Sequence, residues 1–235
     1  YSAARAGWPE MIDNRTFSEK EISKMLQRIG QDEGVFYKSI SSLGGGNHFI
    51  EVGTTPSGEY AFTVHCGSRN FGLKVCKYWE KVAKSQKIDS EAFSKALEKL
   101  KAEIDDLTTL PKKIKQMKKE YALGTPKEYL QGENMKGYLS DMVVAQAYAK
   151  YNHKIIGEKI SEIFKKVNGA KVTSVVQSIH NYINFSDHII RKGAISAKEG
   201  ELMVVPFNMR DGLAICIGKG NEDWNCSAPH GAGRL

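Results

Sequence analysis

Apolar residues recur at helical spacing near the beginning of the chain. Within residues 17–29 they return at steps of three and four, which is the period of an amphipathic helix. Ser18 stands before this run and Glu21 follows three residues later, the arrangement of a capping box. The pattern predicts a short helix whose apolar stripe contains Ile22, Met25, Leu26 and Ile29.

The pattern then changes to two short segments that are typical of β-strands. Residues 48–52 and 60–65 are rich in β-branched and aromatic side chains, and residues 53–58 between them have the composition of a turn. We therefore predict a β-hairpin. Such a hairpin would bring His48 and His65, at the outer ends of its strands, towards each other.

Helical periodicity dominates the middle of the chain, and strand patterns return near its end. Residues 90–120 read as helical with a break at Pro111, and residues 136–166 form the longest helical pattern. The stripe predicted for this long helix contains Leu139, Met142, Val143, Ala147, Tyr151 and Ile155. Further strands are predicted at 172–176, 203–207 and 213–217. We expect a mixed α+β fold in one domain, 1–235, with 85–135 as a helical excursion.

Composition narrows the class of protein. The chain has 235 residues, 41% of them hydrophobic, which is enough for a substantial core. No apolar run reaches about eighteen residues, so no membrane span is predicted. Lys and Arg number 34 against 27 acidic residues, and the net charge of +7 favours polyanionic partners such as RNA. The four cysteines form no CxxC pair, which is typical of reduced thiols in the cytoplasm.

The glycine run 44–46 and the residues after it are candidates for phosphate chemistry. Glycines allow backbone amides to approach an anion, although a glycine run is also a common entry to a strand. No Gly-Lys-Ser/Thr follows, so the segment is not a P-loop. On an extended strand Asn47, Phe49 and Glu51 share one face, while His48 points to the other. One face could thus bind a nucleotide and the opposite face a metal.

Three more histidines stand in segments that suit chemistry but also suit plain structure. His65 ends a predicted strand, and Arg69 follows after a glycine turn where a cation would suit a phosphate. His180 follows an apolar run. His230 lies between Pro229 and a small, flexible Gly-Ala-Gly segment, so that a large anion could approach it closely. By spacing alone His65 is more often an ordinary polar strand end, and the segment around His230 is more often a plain surface turn.

Four motifs, taken in order along the chain, resemble those of RtcB-type RNA ligases. They are Leu43–Glu51, Val64–Arg69, Ser178–Tyr182 and Cys226–Arg234. Enzymes of this family use GTP and manganese to join an RNA 3′-phosphate or 2′,3′-cyclic phosphate to a 5′-hydroxyl. The resemblance implies RtcB-like mixed sheets, with helical insertions, around a central metal and nucleotide cleft. It also implies an RNA ligase of tRNA splicing or RNA repair, located in the cytoplasm and working with an activating protein partner.

The resemblance also implies roles for individual residues. His230 would be the nucleophile that forms a histidine–GMP adduct. Two Mn2+ ions would be held by His48, His65 and His180, with His65 and His180 sharing one of them. The residues implied for binding the guanine nucleotide are Asn47, Phe49, Glu51, Asn208, Ala232 and Gly233. Those implied for RNA phosphates are Arg69 and Arg234.

The chain departs from the family pattern in three places. Cys66 stands where the family usually has serine. The family's Asp-x-x-Cys metal ligands are expected ahead of Gly44, but the 43 residues before it contain no cysteine. The family also continues beyond the last motif to a lysine that contacts guanine, whereas this chain ends at Leu235. We therefore expect a fragment. Two alternatives stay open, an inactive RNA- or nucleotide-binding remnant and a histidine-based metallohydrolase.

Overall fold

The computed structural model describes residues 17–86, 91–104, 108–121, 128–208 and 210–231. The chain divides into two compact units. One is formed by the chain up to Leu73 and from Ser140 onward, and we call it the histidine unit. The other is Lys74–Leu139, the helical unit. The single domain 1–235 and the excursion 85–135 stay predictions.

The first elements of the histidine unit agree with the sequence. Helix α1, Glu19–Arg28, begins after Ser18, and the predicted capping box with Glu21 is present. Helix α2, Glu33–Lys38, follows, capped by the Asp32 carboxylate. Strands β1, Phe49–Thr54, and β2, Tyr60–His65, form the predicted antiparallel hairpin. Phe49 lies directly opposite His65 in its register, so the hairpin's open end carries the first site residues.

Four helices follow: α3, Arg69–Ser85; α4, Glu91–Glu103; α5, Leu110–Glu120; and α6, Gly132–Asn168. Pro111 lies in the first turn of α5, where a missing N–H costs nothing, so the predicted break is a helix start. In the helical unit, Val75, Trp79 and Ala83 form the buried stripe of α3. No described helix is long and apolar enough to cross a membrane.

The remaining strands form three antiparallel pairs. They are β3, Asn181–Asn184, with β4, Ile189–Lys192; β5, Ala194–Ser196, with β8, Ser227–Pro229; and β6, Leu202–Asn208, with β7, Gly212–Ile217. The strands predicted at 203–207 and 213–217 are thus confirmed, and the structure shows that they pair with each other. A short 3₁₀ turn, Glu222–Trp224, precedes β8.

The strand predicted at residues 172–176 is wrong. This segment has no regular structure, and the side chain of Val175 is 82% exposed. Apolar β-branched residues favour a strand only if a neighbouring strand takes up their backbone hydrogen bonds. Among the described residues no strand pairs with this segment.

Helix α6 has the predicted position, but its buried face differs from the predicted stripe. Leu139 and Val143 are buried, whereas Ala147 and Tyr151 are exposed. The buried face also carries polar residues, which an apolar stripe cannot reveal. The buried residues of α6 from residue 141 onward are Asp141, Val143, Val144, Ala145, Tyr148, Asn152 and Ile156. Asp141 is buried in an ion pair with Arg28 of α1, which ties the two helices together.

Two apolar clusters stabilise the histidine unit. Phe36, Phe71 and Tyr148 bring α2, α3 and α6 into contact, with ring centroids 4.9 to 5.5 Å apart. The Tyr148 hydroxyl donates to the carbonyl of Phe36 at 2.9 Å, so its polar end is satisfied. The second cluster lies under the β5–β8 and β6–β7 pairs and is formed by Ile195, Ala197, Met203, Val205, Cys216 and Ala228. The α+β class is confirmed.

Candidate functional site

The structure brings the four motif histidines into one continuous row. The ring centroids of His48 and His65 are 5.9 Å apart, and those of His65 and His180 are 5.4 Å apart. His180 and His230 follow at 4.7 Å with their ring planes tilted by 32°. Residues far apart in the sequence therefore meet at one place in the histidine unit.

Backbone contacts explain how the last two histidines meet. His180 immediately precedes β3, and His230 immediately follows β8. The carbonyl of His180 accepts from the N–H of Ala194, while the N–H of His230 donates to the carbonyl of Gly193, both at 3.3 Å. The turn between β4 and β5 therefore holds both histidines. Gly193 has φ +64, a backbone conformation that favours glycine, and a Cβ there would lie 3.7 Å from the His230 ring, at ordinary van der Waals distance.

Burial and neighbouring basic groups lower the pKa of three of these imidazoles. The pKa of His65 is lowered to about 4, first by burial and then by the adjacent His180 and His48. Burial and Arg69 lower the pKa of His48, and burial and His230 lower that of His180. A lowered pKa means that the charged form is disfavoured in the fold, so the neutral ring persists to more acidic pH. Neutral imidazole is the form that binds metals.

The glycine loop packs directly on a cation. Arg69 donates from Nε to the Ser42 hydroxyl at 3.0 Å and from Nη1 to the Leu43 carbonyl at 3.1 Å. Its Nη1 also lies 3.4 Å from Nδ1 of His48. At Gly44, with φ +104, a Cβ would overlap Nη1 and would lie 2.5 Å from Nδ1 of His48. Glycine is therefore needed at position 44 for this contact. Arg69 in turn supports the glycine loop through its hydrogen bonds to Ser42 and Leu43.

Asn152 of α6 connects this loop to the end of β2. Its side-chain oxygen accepts from the N–H of Ser41 at 2.7 Å. Its side-chain nitrogen donates to the carbonyls of Ser42 and Gly67, both at 3.2 Å, and lies 3.5 Å from Sγ of Cys66. The side chain is completely buried. One amide thus fixes the glycine loop relative to the strand that carries His65.

The next residue of α6 reinforces the same turn. His153 contacts the carbonyl of Cys66 through Nε2 at 2.6 Å, and its Nδ1 lies 3.1 Å from the side-chain nitrogen of Gln177. These contacts give His153 a structural role in holding the end of β2 and the segment around Gln177. Cys66 is buried, and burial raises the pKa of its thiol to about 11. The thiol is therefore neutral and packs instead of reacting.

Two nitrogen atoms have a spacing that suits one metal ion. Nε2 of His65 and Nε2 of His180 are 3.3 Å apart. Two ligands about 2.0–2.1 Å from one tetrahedral ion are separated by roughly that distance. The same spacing suits an N–H···N hydrogen bond between two neutral rings. In the described part of the chain no cluster of three or more His, Cys, Asp or Glu donors suited to a metal occurs. The described residues thus supply two converging donors.

The residues expected to bind nucleotide lie beside this row. Asn47 is exposed, and the Phe49 ring lies 5.3 Å from that of His65. Glu51 is half-buried opposite Thr63. Both Phe49 and His48 contact His65, so the predicted nucleotide face and metal face of the strand are not fully separated. The reason is that His48 precedes the first residue of β1 and escapes strict alternation.

Of the other residues predicted to bind nucleotide or RNA, Asn208 already makes hydrogen bonds within its own turn, and three lie outside the described residues. The side-chain oxygen of Asn208 accepts from the N–H groups of Arg210 and Asp211, both at 2.9 Å. Its side-chain nitrogen donates to Asp211 at 2.6 Å, so this amide stabilises the β6–β7 turn. Ala232, Gly233 and Arg234 lie outside the described residues.

Asn152 is the site residue that the sequence reading missed. Its signal is a polar residue midway between Tyr148 and Ile156 at helical steps of four, on a face that is mostly apolar. A buried amide in such a position must satisfy its donors and acceptor within the protein.

A mixed α+β unit with four motif histidines in one row defines a protein with a histidine-centred site. Residues 5–235 match the family described as tRNA-splicing ligase RtcB. The chain belongs to this family, as the motif resemblance predicted.

Curated relatives carry the same name. The chain is 29% identical to the RNA-splicing ligase RtcB of Escherichia coli K12 over 85% of its own length and 46% of that protein. It is 25% identical to the tRNA-splicing ligases RtcB of Archaeoglobus fulgidus and Pyrobaculum aerophilum, over 47% and 50% of those proteins. The chain therefore spans about half the length of these relatives. No solved structure matches it.

The contacts of Asn152 predict that Asn152→Asp will destabilise the histidine unit. Aspartate loses the donors to two carbonyls and places a negative charge beside them, so a loss of about 1–3 kcal/mol in unfolding free energy is expected. Urea denaturation will measure it. Asn70→Asp, at an exposed position in the first turn of α3, is the control and should change stability by less than about 0.5 kcal/mol. An equal loss of stability in both variants would contradict the structural role of the Asn152 hydrogen bonds.

A second prediction compares neighbouring glycines. Gly44→Ala should destabilise the protein by about 1–3 kcal/mol, because φ +104 disfavours any side chain and the Cβ displaces Arg69. Gly45→Ala is the matched control, since a Cβ there meets nothing within 4 Å. Thermal and urea unfolding of both variants will check this, and an equally large loss in both would refute the packing argument.

Proposed function

We propose that this chain carries the guanylyl-transfer and RNA-joining site of an RtcB-type ligase. The reaction would join an RNA 3′-phosphate or 2′,3′-cyclic phosphate to a 5′-hydroxyl through a GMP adduct on His230. The observation that supports this most is the 4.7 Å contact between the rings of His230 and His180. It sets a candidate nucleophile beside the pair of neutral imidazoles that would hold a metal.

His230 is the proposed nucleophile. One ring nitrogen attacks the α-phosphate of GTP, so that a P–N bond forms and the P–O bond to pyrophosphate breaks. The guanylyl group then passes to the RNA 3′-phosphate, and the 5′-hydroxyl displaces GMP. A phosphoramidate leaves readily once its nitrogen is protonated, which suits a histidine to a relay of this kind. The backbone contact with Gly193 supports this role because it limits the movement of His230.

His65 and His180 are the residues that would hold one Mn2+, and His48 would serve a second. When bound, manganese supplies positive charge that offsets charge developing on the phosphates. His48 has the weakest support as a ligand. Its Nδ1 faces Arg69, so the neutral ring carries its proton on Nε2, which would have to be released.

Asn47, Phe49 and Glu51 are the proposed guanylate contacts. Phe49 lies against His65, which would set the nucleotide close to the histidine row. A carboxylate at Glu51 would accept from the two donors that guanine offers along one edge. Asn208, Ala232 and Gly233 are further proposed contacts, and the Asn208 amide would have to leave Asp211 in order to bind phosphate.

The proposed substrate is RNA. Arg69 and Arg234 are the proposed phosphate contacts, and the net charge of +7 favours a polyanion. Arg69 already supports the glycine loop and lies 3.4 Å from Nδ1 of His48, so a phosphate bound to Arg69 would lie close to His48. The proposed setting is tRNA splicing or RNA repair in the cytoplasm, with an activating protein partner.

The central prediction concerns a covalent adduct. Incubation with GTP and Mn2+, of this chain or of any longer polypeptide that contains it, should add one GMP to the protein by intact mass. The bond should be labile in acid and stable in alkali, as for a phosphoramidate. His230→Ala should abolish the adduct, because it removes the nucleophile.

His188→Asn is the control for this experiment. His188 is exposed and lies in the β3–β4 turn with φ +58, a conformation that asparagine tolerates. This variant should form the adduct as the parent does. GMP uptake on another residue in His230→Ala would refute the assignment. Metal-dependent hydrolysis without any adduct would favour a metallohydrolase, and nucleotide binding without either would favour an inactive remnant.

Metal binding gives a prediction with a different readout. His65→Ala and His180→Ala should each weaken Mn2+ binding by about tenfold or more in calorimetry, because each removes one of two converging nitrogens. His230→Ala should leave the affinity nearly unchanged, since His230 lies outside the proposed metal ligands. An unaltered affinity in both ligand variants would contradict the proposed metal pair.

Base selectivity provides the last prediction. Glu51→Gln should reduce the preference for GTP over ATP by about 1–3 kcal/mol, because a charged acceptor for guanine's donors is lost. Competition binding with both nucleotides will measure this. Glu59→Gln, at an exposed position of the hairpin turn, is the matched control and should keep the preference. Equal affinity of the parent for GTP and ATP would refute the role of Glu51.

A further inference from the structure

A buried arginine lies behind the strand that leads to His230. Arg191 of β4 has a side chain that is 1% exposed. Its Nε donates to the Ser227 hydroxyl at 2.9 Å, and its Nη1 donates to the Tyr182 hydroxyl at 3.3 Å and to Asp187 at 3.2 Å. A buried guanidinium is tolerated only when it is paired and hydrogen-bonded, as this one is.

The remaining donors of Arg191 hold two backbone carbonyls. Nη2 lies 3.2 Å from the carbonyl oxygen of Asn225 and 3.5 Å from that of Cys226. All five N–H groups of the guanidinium therefore face protein acceptors. The side chain has no donor left for a substrate phosphate, so its role must be carried through the residues that it contacts.

The two carbonyls belong to residues in an unfavourable conformation. Asn225 has φ +50 and Cys226 has φ +46, consecutive left-handed residues that are not glycine. Such residues cost about 1–2 kcal/mol each and persist only where the surroundings hold them. The backbone around Cys226 is held from two further sides, by Asn221 and by Ala197, each at 2.8 Å. Within the described residues, Arg191 is the only side chain that donates to the carbonyls of both Asn225 and Cys226.

The left-handed turn at Asn225 and Cys226 leads directly to the histidine row. Cys226 is followed by β8, whose three residues pair with β5, and then by His230. Loss of the left-handed conformation would rotate the start of β8 and move the His230 ring away from His180. Only the three residues of β8 therefore separate the residues that Arg191 contacts from His230.

We propose that Arg191 is a positioning residue for His230, because it holds Asn225 and Cys226 in the left-handed conformation that aims β8 at His180. The effect on guanylylation rests on the proposed function. The geometric claim does not, since it concerns only where the imidazole of His230 lies.

The test is a rescue experiment. Arg191→Lys keeps the charge beside Asp187 but lacks the planar fork that reaches both carbonyls. We expect amide hydrogen exchange of residues 226–230 to rise at least tenfold and the rate of GMP adduct formation to fall at least tenfold. Adding Asn225→Gly and Cys226→Gly should restore most of both losses, because glycine adopts positive φ without strain.

His188→Gly provides the matched control. It relieves a positive φ of 58° in the same unit but outside the left-handed turn at Asn225 and Cys226, so it should not rescue Arg191→Lys. Equal rescue by His188→Gly would show a general effect on stability and would overturn the proposal. Unchanged exchange and unchanged adduct formation in Arg191→Lys would overturn it as well. If the parent forms no adduct while exchange still follows the expected pattern, the proposed function fails and the positioning role stands.

A second series applies if Arg191→Lys does not fold. With Arg191 intact, exchange of residues 226–230 should rise in the order Asn225→Gly, Asn225→Ala, Asn225→Val, since β-branched side chains tolerate positive φ least. The valine variant should exceed the glycine variant at least threefold. An exchange rate that does not depend on the residue at this position would overturn the proposal.

Discussion

The histidine site depends on the hydrogen bonds of one completely buried amide. Asn152 joins the backbone at Ser41 and Ser42 to the backbone at Gly67, and it lies 85 or more residues from each of them in the sequence. A buried amide that lost these partners would keep its desolvation cost with nothing to offset it. The glycine loop, the end of β2 and helix α6 are therefore held in one arrangement, and the positions of His48, His65 and Arg69 follow from it.

Electrostatics then decides what the histidine row can do. Four imidazoles in contact would repel one another if they were charged, and burial adds to this penalty. The lowered pKa values of His48, His65 and His180 show that the neutral rings prevail. A neutral imidazole keeps one ring nitrogen with a free lone pair, which is the form that binds metals.

Backbone strain is concentrated around the same row. The described non-glycine residues with positive φ include Ser41, Arg69, Asn225 and Cys226. Ser41 and Arg69 border the loop that carries His48, and the other two precede the strand that carries His230. The backbone of Ser41 is held by Asn152 and the carbonyls of Asn225 and Cys226 by Arg191, while the Arg69 side chain itself donates to Ser42. Backbone strain of this kind persists where the surrounding structure holds the residue in place, and here it accompanies the placement of particular side chains.

Local signals along the sequence determined α1 with its capping box, the β1–β2 hairpin, the strands β6 and β7, the helical middle of the chain and the family membership. Each depends on neighbours in sequence or on motif order. Only the tertiary structure decided that residues 172–176 stay unpaired, that Asn152 lies on the buried face of α6 and that Arg69 holds the glycine loop. These outcomes depend on partners distant in sequence. Periodicity records where apolar side chains fall, but it cannot show which polar group finds a buried partner.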